Sequence, residues 1–137
     1  MKTDRIIGSP KDWLARAEGD LALARTPLPM GGFYEDLCFH AQQAAEKAIK
    51  AVYLHHGLIF RYTHDLGELM EGLLQQGISV PEAVRSCIFL TSYAWSARYP
   101  GLDELATAGE HANALEKASV VVAWAETIVK ADEDVGV

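Results

Sequence analysis

An all-α fold, an antiparallel up-and-down bundle of four long helices plus one short helix, is what this sequence predicts. Two observations carry that expectation. Five stretches place apolar residues at steps of three and four, and none alternates with the period of a strand. Short breaks rich in Pro and Gly separate them, and helices joined by short breaks pack antiparallel. At 137 residues, half of them hydrophobic, the chain suits one domain with one substantial core. We expect a single domain over 1–137, with its core at about 10–130 and a flexible acidic tail, "ADEDVGV", at 131–137.

The first helix is expected from about Pro10 to Arg25. Ser9 is a good N-cap, Pro10 fits the first helical position, and Asp12 suits the positive end of the helix dipole. "TPLPMGG" ends it. The second runs from about Phe33 to His56, stops at Gly57, and is made largely of the strong helix formers Ala, Gln, Glu and Lys. Leu37, Ala41, Ala44, Ala45, Ala48 and Val52 form its apolar stripe, and the small Ala side chains admit a close neighbour. The third is short, about His64 to Gln76, capped by Thr63 or Asp65. A fourth is expected from near Pro81 to about Arg98; its many apolar residues place it centrally or at a subunit interface. "RYPGLDELATAG" reads as a loop, and a fifth helix follows from about Gly109 to Lys130.

Composition excludes several classes. A formal net charge of −7 gives no global field for nucleic acid, whose phosphates are neutralised by Lys and Arg. No apolar run reaches the ~18 residues of a membrane span. "MKTDRIIGSP" has no apolar signal core, so a cytoplasmic protein is expected, with Cys38 and Cys87 as free buried thiols. His40, His55, His56, His64 and His111 lack the spacing of a zinc helix, so neither a metal nor another cofactor is expected. "PMGGF" lacks the Lys and preceding strand of a phosphate loop, and there is no nucleophile elbow.

Two stretches carry unusual chemistry. On the second helix, Asp36, His40, Gln43, Lys47 and Lys50 step by four, three, four and three and so share one face. Glu46 reaches Lys50 at i,i+4 in the favourable order. That face is either solvated and supported by one ion pair, or a polar groove for an anion or partner helix. The second stretch is "SYAWSARYPG", where Arg98 and Tyr99 stand just before a helix-ending Pro. Arg98 either caps the last carbonyls or offers its planar fork to a phosphate. His55 and His56 suit the negative end of the second helix.

In "YEDLCFHAQQAAEKAIKAVYLHHG", then "THDL", then "ARYP", then a helix with "ALEKASVVVAWAE", the chain resembles the HEPN (higher eukaryotes and prokaryotes nucleotide-binding) domain family, in its small stand-alone prokaryotic type. The resemblance implies a helical bundle, commonly homodimeric, often paired with a small nucleotidyltransferase in a toxin–antitoxin-like system. Carried onto this sequence, it implies a ligand-binding site of Gln43, Glu46, Lys47, Lys50, His64, Asp65, Arg98 and Tyr99. Catalytic members of the family are metal-independent ribonucleases in which four to six residues separate an Arg from the His that follows it, and no Arg of this chain has such a His. The expectation is therefore a non-catalytic module that binds a nucleotide or anion, or docks a nucleotidyltransferase. The alternatives are a divergent ribonuclease using Arg98 with His64 or His111, and a purely structural interaction module.

Overall fold

The computed structural model describes residues 8–96 and 106–131. Those residues form helices and no strand: α1 (Pro10–Ala24), α2 (Tyr34–His55), α3 (Leu66–Gln75), α4 (Glu82–Arg85), a 3-10 segment (Ser86–Ser92), α5 (Tyr93–Ser96) and α6 (Ala108–Val129). The expected all-α bundle is the observed one, with α1, α2, α3 and α6 within one or two residues of their expected bounds.

Local chemistry explains the starts. The Ser9 side chain accepts from the Asp12 backbone N–H, with Pro10 in the first turn. Both candidate caps of α3 take part: Asp65 accepts from the Glu68 N–H, and the Thr63 hydroxyl accepts from the Asp65 N–H. Thr107 and Glu110 form a reciprocal capping box that starts α6 inside the stretch expected to be loop. Positive φ at Gly57 and Gly77 lets the chain leave α2 and α3 by a left-handed residue.

α2 is the central element, flanked by α1 and α6 and crossed by α3 and the 3-10 segment. Ala41, Ala44, Ala45, Ala48 and Ala51 are all fully buried, which lets these neighbours approach its backbone. α1 runs antiparallel to both α2 and α6. At one end the His111 Nε2–H donates to the Ala24 carbonyl and stacks beside Tyr34; further along, Lys130 pairs with Glu18. The Tyr53 hydroxyl donates to the Leu69 carbonyl, and a Cβ on Gly72 would overlap it, so the α2–α3 crossing needs glycine there.

The fourth helix departs from expectation. Among the described residues of this stretch, Glu82–Arg85 and Tyr93–Ser96 are α-helical, and the seven residues between wind as 3-10 helix; the expected end at Arg98 lies outside the described residues. Val84, Cys87 and Leu90, three residues apart, are buried on one edge, while Ile88, Phe89 and Trp95 are exposed. Of the two places expected for this element, the centre of the bundle belongs instead to α2. Cys38 and Cys87 are free and buried, as expected. Burial, foremost, pushes their thiols up to about 11 and about 12. No helix among the described residues is long and apolar enough to cross a membrane.

Candidate functional site

The polar residues of α2 do not make one face. They divide into two clusters around two carboxylates.

The first cluster is closed. Glu46 is 4% exposed and Lys50 3%, and Gln42 is fully buried. The Glu46 carboxylate meets four donors. Its Oε2 accepts from Lys50 Nζ at 2.7 Å. Its Oε1 accepts from Gln42 at 3.0 Å, from Gln43 at 3.4 Å, and pairs with His64 Nδ1 at 2.9 Å. Gln42 also donates to the His64 backbone carbonyl and accepts from Gln43. Burial pushes the Glu46 carboxyl up, but hydrogen bonds from Lys50, Gln42 and His64 outweigh it and hold the group below its ordinary value. An ionised carboxylate only accepts, so His64 Nδ1 carries the proton and Nε2 is left for another partner.

Aromatic rings enclose the cation of this pair. Lys50 Nζ lies 5.8 Å from the ring centre of Trp13, 5.0 Å from Phe60 and 6.0 Å from Tyr62. At these distances the ring faces attract an ammonium that water no longer solvates. Trp13 comes from α1, and Phe60 and Tyr62 from the α2–α3 connection, so two separate parts of the chain meet over one residue of α2. The expected solvated face with a helix-supporting ion pair is corrected here: the Glu46–Lys50 pair exists, but in the interior. His64 is the outer member of the cluster, half-buried, with the Trp95 ring 6.0 Å away and nearly perpendicular to its own.

The second cluster is more open. Asp20 of α1 receives Lys47 Nζ at 2.6 Å on one oxygen and His40 Nδ1 at 3.1 Å on the other. Lys47 and Lys50 sit about 60° apart on the helix wheel, enough for Asp20 of α1 to take one while the other turns in towards Glu46 and the rings.

The implied site residues therefore separate. Gln43, Glu46, Lys50 and His64 join one network. Lys47 belongs to the other, and Asp65 is spent on capping α3. His111 is held by the Ala24 carbonyl near the start of α2, about 18 Å along that helix from Glu46, so it does not meet His64. Arg98 and Tyr99 lie outside the described residues. Sequence reading passed over Gln42, Asp20, Trp13, Phe60 and Tyr62. Only the adjacency of Gln42 to Gln43 hinted at the first, and Asp20, one of three carboxylates on α1, gave no sign of its partners. Among the described residues, no group of three or more His, Cys, Asp or Glu is placed to hold a metal ion.

A family model, that of the HEPN domain, matches residues 10–128. The chain belongs to the HEPN family. Two solved structures share the fold of this HEPN chain. TT1696 from Thermus thermophilus superposes with a TM-score of 0.70 at 28% identity, over 85% of this chain and 95% of the other. ST0689, described as an archaeal HEPN homologue, gives 0.70 and 28%, over 89% and 98%. A Methanocaldococcus jannaschii protein named "Putative toxin MJ1304" is 45% identical over 51 residues, or 37% of this chain. That match spans 33% of the relative's own length.

Proposed function

We propose that this HEPN chain is one member of a toxin–antitoxin-like pair and acts as a nucleotide-binding module, with phosphate or base held at the edge formed by His64 and Trp95. One observation carries the reading. A fully hydrogen-bonded, buried carboxylate fixes His64 by Nδ1 and leaves Nε2 for a ligand. The buried Glu46–Lys50 pair cancels its own charge, so it adds no net negative charge beside His64, and a phosphate that brings a proton to Nε2 would be met by a donor rather than a lone pair. Trp95 supplies a face on which a base can stack. Lys47 and Lys50 are poor phosphate ligands because each already has a carboxylate. Arg98 and Tyr99, three and four residues beyond Trp95 in sequence, remain the cationic and aromatic candidates to complete the site. The relative's printed name supports the toxin–antitoxin context, and the family resemblance supports a cytoplasmic homodimer with a small nucleotidyltransferase as partner.

Calorimetric titration with adenine and guanine nucleotides tests the reading. Saturable binding is expected, weakened about tenfold or more by Trp95→Ala and by His64→Ala, and unaffected by Lys47→Ala. Absence of binding by any nucleotide would end it. Co-purification with a nucleotidyltransferase, and light scattering for the dimer, test the partners.

The Glu46–His64 arrangement itself favours a second reading. A carboxylate that fixes one imidazole nitrogen leaves the other able to move a proton, which is what RNA cleavage by Arg98 and His64 would require. Metal-independent cleavage of RNA, abolished by either His64→Ala or Arg98→Ala, would select it. Nucleotide binding without cleavage selects the first.

A further inference from the structure

The cluster around Glu46 fixes the direction of every hydrogen bond within it. The carboxylate, ionised against Lys50, can only accept. Gln42 therefore turns its amide N–H groups inward, donating to Glu46 Oε1 at 3.0 Å and to the His64 backbone carbonyl at 3.3 Å. Both partners are acceptors and would repel the amide oxygen, so a flipped Gln42 is ruled out. Its Oε1 faces Gln43 at 2.7 Å, and an acceptor that close requires a donor. Gln43 accordingly commits both of its N–H groups, one to Gln42 and one to Glu46 Oε1 at 3.4 Å.

The Gln43 amide oxygen is left over. Gln43 is half-buried, and among the described residues no donor reaches its Oε1. Lys47, one turn further along α2, is held by Asp20 instead. His64 is left in the same way. Its Nδ1–H goes to Glu46, no described group meets Nε2, and in the neutral ring that atom carries a lone pair. Gln43 and His64 hang from the same carboxylate oxygen, so the two remaining acceptors are neighbours.

Two neighbouring acceptors discriminate between bases. Guanine carries two donors side by side on its Watson–Crick edge, the ring N1–H and the exocyclic N2–H2. On the same edge adenine and cytosine set one amine beside a ring acceptor, and uracil sets one N–H between two carbonyls. Guanine satisfies both protein atoms, whereas each of the others sets a lone pair against a lone pair.

We propose that Gln43 Oε1 and His64 Nε2 form a base-reading pair that selects guanine, each accepting from one of its two edge donors, with Gln42 as the positioning residue that keeps the Gln43 oxygen outward. The inference rests on the nucleotide-binding reading above and names the base that the site prefers.

Calorimetric titration of the full-length chain tests it with four ligands. These are GDP; inosine diphosphate, which lacks only the 2-amino group; 1-methyl-GDP, whose N1 carries a methyl group in place of hydrogen; and ADP. GDP is expected to bind about tenfold tighter than each of the others, the effect of one unmade hydrogen bond. Gln43→Met keeps the length and helix propensity of the side chain without its oxygen. It is expected to abolish the penalty for one of the two altered guanines and to keep the penalty for the other, because one acceptor of two is gone. Unchanged imidazole nitrogen shifts of His64 show that the Glu46 cluster is intact in that variant. If Gln43→Met does not fold, the four ligands on the wild-type protein decide. Binding of any of the other three as tightly as GDP, or both penalties surviving in Gln43→Met, overturns base selection by this pair and leaves nucleotide binding standing. No binding of any of the four overturns both.

Discussion

The two carboxylates that organise the polar side of α2 stand in contrast. Glu46 sits beneath rings and amides with four donors; Asp20 sits at the α1–α2 seam with two partners, each about 30% exposed. Both hold a lysine and a histidine. Burial makes the difference. A pair that water reaches is screened and contributes little, whereas breaking a buried pair leaves an uncompensated charge in the interior. Each carboxylate holds a half-buried histidine by Nδ1, but only the open cluster joins two helices directly, and only His64 has an aromatic neighbour in Trp95 from the far end of the 3-10 segment.

The largest effect is expected from Glu46→Ala, which leaves the Lys50 ammonium buried without its carboxylate. A loss of about 3–5 kcal/mol, read as a lowered denaturation midpoint, is the expected outcome. A loss no greater than that of Asp20→Ala would erase the distinction between the clusters. Next comes the paired replacement. Lys50→Met alone strands the carboxylate and is costly, but Glu46→Met with Lys50→Met should recover most of the lost stability, because two apolar side chains suit an aromatic surround. The double variant should lose the fixed His64 tautomer, visible in its imidazole nitrogen shifts.

Acid sharpens the comparison further. The Glu46 carboxyl is held below its ordinary value of 4.5 in the folded protein, so the unfolded chain takes up its proton first as pH falls. The stabilisation is therefore complete above about pH 4.5 and lost progressively as pH drops through the depressed folded value. Wild type should show a steeper acid limb of stability against pH than Glu46→Gln. Equal limbs would mean that the carboxylate is not held as described. The smallest effect belongs to Lys47→Ala, about 1 kcal/mol or less by chemical denaturation, because the Lys47 ammonium reaches water and Asp20 keeps His40 as a partner.

The sequence made some of this legible and hid the rest. The bounds of α1, α2 and α3 followed from caps, Pro, Gly and apolar period, all local signals. The Glu46–Lys50 pair was visible at i,i+4, and the wheel placed Gln43 and the two lysines together. The wheel could not show which neighbour covers which angle. It joined Lys47 to Lys50, but two different carboxylates, Asp20 of α1 and Glu46 of α2 itself, divide them. The fourth helix misled for a related reason. Its apolar residues fit an α period, and the fit of Leu90 and Cys87 into the core selected the tighter winding.

What the sequence determined by itself is the set of helices, where they start and stop, and the family, because these depend on residues within a turn or two of one another. Tertiary structure alone decided that Glu46 and Lys50 are interior, that His64 is their outlet, and that Asp20 claims Lys47 from 27 residues away. Those outcomes depend on which surfaces lose water when distant segments pack, and desolvation belongs to the assembled fold.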